Sequence, residues 1–192
     1  MKELAIIVVC TFLSSCADPP IFPPELSANV DRNVTFKMVN ASPNFYKGST
    51  IEFGGQIVAS KVDGQNIHIL VRELPIRTEP VYGPSNTGKS QGLFVVAYQG
   101  EMTGQDLQEG NMLIAIGTLL GAVPETITDL QARRATVQTE CVHIWRTQGH
   151  QIDDFPWLPT ARYWPLVQQT FCVNTPATLL KLSSDSGSSI LS

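Results

Sequence analysis

Positive charge is scarce in this chain of 192 residues: 13 lysines and arginines stand against 17 aspartates and glutamates, a net charge of −4. Nucleic-acid binders usually show a basic patch, so no nucleic-acid partner is expected. Histidine is scarcer still, with only His68, His143 and His150. His68 sits within an apolar strand pattern and reads as a strand residue. His143 and His150 lie seven apart beside Cys141, whereas zinc wants closer spacing and at least three protein ligands, so no metal site is expected. Asp153-Asp154 reads as a solvated acidic pair. There is no Gly-x-Ser-x-Gly elbow, which removes support for that kind of serine hydrolase. Nor is there a long helical period or an apolar run near the roughly 20 residues a spanning helix needs.

What is present begins at the N-terminus. An apolar run over residues 4–13 leads into Leu13-Ser14-Ser15-Cys16, which resembles a bacterial lipobox. A short hydrophobic segment enters the translocation machinery, small serines let a peptidase reach the backbone, and the Cys16 thiol accepts a diacylglyceryl group. Cleavage is expected between Ser15 and Cys16, making residues 1–15 a signal peptide. In lipoproteins of this kind an aspartate after the cysteine tends to hold the protein at the inner membrane; Ala17 here favours the outer one, with Asp18 one place later. Two or three acyl chains anchor stably where one binds only reversibly, at about 0.8 kcal/mol per buried methylene. The expected partner is therefore a membrane, reached through lipid on Cys16, with envelope proteins or lipid as further partners.

That reading empties most of the cysteine count. Cys10 leaves with the signal and Cys16 is consumed, so Cys141 and Cys172 remain in a compartment that permits disulfides. They form either one bridge or two separate buried thiols. A nucleophilic Cys141 paired with His143 is conceivable, since residues two apart on a strand face the same side; the nearby Cys172 favours a disulfide instead.

Residues 16–32 hold Pro19, Pro20, Pro23 and Pro24, which disfavour helix and central strand and suggest a semi-extended tether. The following period is mostly that of strands. A weak alternation covers 34–39, and a stronger candidate covers 50–60, with a bulge or bend expected at Gly54-Gly55. Asp63-Gly64 signals a hairpin, followed by strands near 67–71, 93–98, 112–120 and 135–145. A polar connection over 104–110 has room for one helical turn. The expected fold is all-β: a small antiparallel Greek-key barrel of the OB type over residues 33–146, with a two-sheet sandwich as the rival. Residues 147–182 read as an irregular extension rich in proline and aromatics. Its Trp157, Tyr163 and Trp164 either cover one barrel end or dock on lipid headgroups or peptidoglycan. Residues 183–192 read as a disordered serine-rich tail.

Gly83-Pro84-Ser85-Asn86-Thr87-Gly88-Lys89-Ser90 fits the P-loop pattern letter for letter. The setting is wrong. A P-loop needs a buried strand before it and a helix after it, yet Pro75 and Pro80 interrupt the upstream segment and Leu93-Phe94-Val95-Val96 is β-rich. No nucleotide and no cofactor is expected.

Several short motifs then align in order: Pro43-Asn44-Phe45-Tyr46-Lys47-Gly48, Phe53-Gly54-Gly55-Gln56-Ile57, Glu73-Leu74-Pro75, Gly92-Leu93-Phe94, and Gly100-Glu101-Met102. Gly110-Asn111-Met112, Gly117-Thr118-Leu119-Leu120-Gly121 and His143-Ile144-Trp145 complete the series. With the lipobox ahead of them, the chain resembles the Slp family of outer-membrane lipoproteins, named for a starvation-inducible member. It departs at 100–104, where the family tends to carry Gly-Phe-Leu-Asp-Pro, and in its two-cysteine tail. The resemblance implies a non-enzymatic, lipid-anchored outer-membrane protein with a role in envelope structure or stress adaptation, and transfers no catalytic residue. The alternative is a binding module or carrier for a small apolar or lipidic ligand in the barrel mouth.

Overall fold

In the computed structural model, residues 20–79, 81–128, 132–157 and 166–173 are described. Alternating or unbroken apolar runs become strands: β1 (Thr50–Asp63), β2 (Asn66–Glu73), β3 (Ile76–Arg77), β4 (Gly83–Pro84), β5 (Leu93–Gln99), β6 (Met112–Pro124), β7 (Arg133–Trp145) and β8 (Gln168–Cys172). Two short helices, α1 (Pro24–Ala28) and α2 (Phe36–Ala41), precede them, and a 3-10 turn covers Ile152–Trp157.

Five strands close a barrel. Antiparallel ladders join β5 to β2, β2 to β1, β1 to β6 and β6 to β7. A short parallel ladder between β5 and β7, Val95–Ala97 against Thr136–Gln138, completes the circuit. This is the OB-type barrel expected from the strand pattern, not the rival sandwich, and closure pairs both edges of the five-stranded sheet, the kind of edge that otherwise invites aggregation. The Asp63↔Asn66 pairing makes Gly64-Gln65 the hairpin turn, with Gly64 at a φ of +61, a region glycine enters without steric cost.

The barrel interior is filled. Ile51, Phe53, Ile69, Val71, Phe94, Val96, Leu113 and Ile144 point inward and are at most 6% exposed. At one end Phe36 of α2 packs against Phe53 and Phe94, with ring centroids 5.3 and 5.6 Å away. These side chains occupy the interior that a ligand in the barrel mouth would otherwise enter.

The alternation over 34–39 also resolves differently: it is α2, not a strand. Thr35 caps it by accepting from the Met38 amide at 3.4 Å, and Phe36 and Val39 bury one face. Six residues are too few to separate a period of 2 from 3.6, and the barrel end supplied the deciding contact. The proline-rich stretch is likewise not all extended. Pro24 starts α1 at a first-turn position where its missing amide costs nothing. Phe22 is 3% exposed, so the packed body begins well before residue 33; such burial contributes about 1.5–3 kcal/mol.

The bend expected at Gly54-Gly55 lies elsewhere. Both glycines keep regular register with β6, and the irregularity in β1 falls between Ile57 and Ala59. The glycines serve close approach instead. A Cβ on Gly55 would stand 2.2 Å from the Arg72 carbonyl oxygen, and one on Gly54 would stand 2.7 Å from the Ile76 side chain. The segment presses the β3–β4 ladder onto the outside of the barrel.

That ladder belongs to a second layer. On β6 the residues Met112 through Ile116 are wholly buried, because Leu113 and Ala115 face inward while Met112, Ile114 and Ile116 face out under a separate apolar cluster. Phe22, Leu74, Cys141, Trp145 and Ile152 complete the cluster. Its cover includes the N-terminal arm, the β3–β4 ladder, the 3-10 turn and β8. The extension after 147 is thus not wholly irregular: β8 pairs with β7 from Cys141↔Cys172 to Trp145↔Gln168, and Cys141 and Cys172 are bridged.

Candidate functional site

Among the described residues, the second layer leaves a cleft at its edge. It encloses about 520 Å³ between the N-terminal arm, β1, the segment before β4, and the ends of β7 and β8. That falls within the roughly 300–1,000 Å³ typical of small-molecule sites. Phe22 and Trp145 are buried beneath it, and Ile21, Val81 and Tyr82 form apolar walls. Val81, 44% exposed, stands at the rim of the cleft. Polar groups converge there too: Ser27, Arg32, Glu52 and Gln168.

Glu52 points outward from β1 and accepts a hydrogen bond from the Tyr82 hydroxyl at 2.8 Å. Burial, reinforced by the bond to Glu52 and by its charge, pushes the Tyr82 phenol well above its ordinary range, while Arg32 pulls the other way. The phenol is therefore a donor at every physiological pH, and the cleft holds one cation and one anion near it. The arrangement is suited to binding.

One wall is held by His143, which stacks edge-on with Trp145 at 4.2 Å. Its Nδ1 lies 2.6 Å from Thr170 Oγ1 and its Nε2 lies 3.2 Å from Gln168 Oε1. The Thr170 hydroxyl donates to the Ile21 carbonyl at 3.0 Å, which ties this histidine to the N-terminal arm. Burial lowers the His143 pKa, partly offset by the Gln168 bond. A base whose folded pKa is depressed is destabilised as pH falls from its unfolded value near 6.5 toward the folded one. Melting temperature is accordingly expected to drop between pH 7.5 and 5.5, and His143→Gln should flatten that slope. Equal slopes in wild type and variant would remove His143 as the cause.

The other residues singled out from sequence are scattered. His68 pairs across to β5 and lies 3.4 Å from the Thr126 hydroxyl. His150 is exposed and meets the Phe155 ring edge-on. Asp154 accepts from the Gln151 amide at the start of the 3-10 turn. Among the described residues, no three His, Cys, Asp or Glu side chains converge as a metal would require. Cys141 is in the bridge and 1% exposed, so the Cys141–His143 pairing is structural.

The P-loop match has strand geometry at its first two residues, with Gly83 and Pro84 opposite Arg77 and Ile76. The Ser85 amide donates to the Pro75 carbonyl at 3.0 Å and the Asn86 amide to Gln151 Oε1 at 3.1 Å. The next element is β5, a strand. A phosphate cradle needs free amides at a helix start, and these amides already have protein acceptors. Ser15, Cys16, Tyr163 and Trp164 lie outside the described residues, as does the Trp157 side chain.

The cleft is not legible in the sequence, because its walls come from five separate segments. One signal was available. The unbroken run Met112-Leu113-Ile114-Ala115-Ile116 demands cover on both faces, hence a second layer around which a cleft can form.

In comparisons with known proteins, the model of the outer membrane lipoprotein Slp family matches residues 13–170. No curated protein matches the chain. Among solved structures, the chain is similar to a small single-stranded DNA-binding protein from Streptomyces coelicolor at 10% identity and a TM-score of 0.33. That likeness covers 55% of this chain and 94% of the other.

Proposed function

Since the chain belongs to the Slp family of outer membrane lipoproteins, we propose that lipid on Cys16 holds it at that membrane, where it serves envelope structure or stress adaptation by binding rather than catalysis. The observation that carries this reading is the extent of the family match. It begins at Leu13, takes in Ser15 and Cys16, and continues through the barrel into β8. Residues 1–15 are then the removed signal, and Cys16 becomes the first residue of the mature chain. The filled barrel agrees with a scaffold role, since its core is occupied by side chains, and β8, laid against β7 in the second layer, is tied down by a disulfide.

In cells fed radioactive palmitate, Cys16→Ser should abolish labelling and move the protein out of the outer-membrane fraction. Unchanged labelling would sink the lipid-anchor reading. Crosslinking in intact envelopes followed by identification of the bound material then separates a structural role from ligand carriage.

A second reading, a binding module or carrier for a small apolar or lipidic ligand, is favoured by the outer-face cleft. Its size and apolar walls suit such a ligand. Binding of a fluorescent lipid probe by the purified body tests it, and no binding would count against it.

A further inference from the structure

The cleft's volume, charges and position select a narrower ligand. Resting on the lipid-ligand reading above, we propose that it binds a single-chain zwitterionic phospholipid of the lysophosphatidylethanolamine type, taken from the membrane that anchors the protein.

Size suits a single chain. The 520 Å³ of the cleft is in the range of small-molecule sites and accommodates one acyl chain, with the headgroup at its open side. Apolar surface for that chain is supplied by Ile21, Phe22, Val81 and Trp145. Burying a chain there is favourable at about 0.8 kcal/mol per methylene.

Charge sets the headgroup. The cleft carries Arg32 and Glu52, and both act on the Tyr82 hydroxyl lodged between the apolar walls. A guanidinium matches a phosphate, which it can hold through two parallel hydrogen bonds. A carboxylate matches a primary ammonium. A headgroup with both charges satisfies both residues, whereas an anionic headgroup would set its second polar end against Glu52 with no countercharge.

Position sets the source. Pro20 lines the cleft, and Cys16 is four residues earlier. Four residues of fully extended chain reach at most about 14 Å. With lipid on Cys16, Pro20 at the cleft stays within that reach of the bilayer surface, so the membrane is the nearest source of lipid.

The test uses the full chain carrying Cys16→Ser, so that its own lipid does not compete. Titrated ligands are myristoyl lysophosphatidylethanolamine, myristoyl lysophosphatidylglycerol and myristate, each below its micelle concentration. Native mass spectrometry reads the stoichiometry and calorimetry the affinity. The expected result is one lysophosphatidylethanolamine per chain, bound roughly tenfold tighter than the phosphatidylglycerol analogue. Glu52→Gln should erase that preference, and Val81→Arg, at an exposed rim position, should weaken every ligand without unfolding the barrel by circular dichroism. Equal binding of all three ligands, unchanged by Glu52→Gln, overturns the headgroup assignment while the lipid-ligand reading stands. Binding untouched by Val81→Arg places the ligand elsewhere and overturns the site. No binding of any ligand to folded protein overturns both.

Discussion

Removing the Cys141–Cys172 bridge, as Cys141→Ala with Cys172→Ala, is expected to cost about 3–4 kcal/mol of stability in the chain-entropy account of a loop of this length. The two cysteines are 31 residues apart in sequence. For a domain of this size each kcal/mol corresponds to about 2–4 °C, so the melting temperature should fall by roughly 10 °C. The local consequence is as informative as the global one. β8 joins the rest of the molecule through a five-residue ladder on the C-terminal half of β7, and through Thr170, which holds the Ile21 carbonyl. Losing the bridge should release β8 and, with it, the N-terminal arm that walls the cleft. Hydrogen exchange at Thr170 and Phe171 should accelerate before exchange at Val142 and Ile144. Wild type melted with and without a reducing agent gives the same comparison without mutation. An unchanged melting temperature on reduction would show that the ladder alone secures β8.

Asp106→Ala is the second large effect, expected at about 3 kcal/mol, the low end for breaking a buried ion pair because Arg146 keeps some contact with water. Asp106 is 1% exposed. Its carboxylate accepts from the Thr103 amide at 2.9 Å, the Thr103 hydroxyl at 2.6 Å, and Arg146 Nε and Nη2, each at 2.8 Å. These partners knot the 103–111 connection to the segment after β7, alongside Asn111, which donates to the Gln105 and Asp106 carbonyls. Truncation leaves the Thr103 amide and the Arg146 guanidinium without their acceptor. The pH dependence has a definite sign. Burial pushes the Asp106 carboxyl up, but the Thr103 and Arg146 bonds outweigh it and the net shift is downward. A carboxylate depressed on folding stabilises the protein above its unfolded pKa and loses that contribution as pH falls through the folded value. Asp106→Asn should therefore be less stable at neutral pH and show a shallower loss on acidification below about pH 4. Parallel acid curves for the two proteins would assign the acid sensitivity elsewhere, with Glu125 and its Thr128 and Arg134 partners the next to test.

The strands were legible because burial on a sheet imposes a local pattern. Ile67-His68-Ile69-Leu70-Val71 and Leu93 to Tyr98 carry their period within a few residues, and Asp63-Gly64 encodes its turn in two. The short elements were not legible, for equally local reasons. Residues 36–41 become α2 because Phe36 finds Phe53 and Phe94, residues far away in the chain. Residues 168–172 read as part of a tail and become β8 because Cys172 meets Cys141. Gly54 and Gly55 suggested a bend, yet their small size answers Ile76 and the Arg72 carbonyl.

By itself, then, the sequence pointed to an all-β chain, a barrel of the OB type with a sandwich as the rival, behind a lipobox-like Cys16, and to a P-loop pattern in a setting unable to use it. The strands, the lipobox and the P-loop pattern each depend on neighbours within about ten residues. Only the tertiary structure decided that the barrel is filled, that a second layer covers β6, and that Arg32, Glu52, Tyr82 and Trp145 share one cleft. Those contacts join segments distant along the chain. Nothing in the spacing of residues along a strand records which remote segment will cover its outer face.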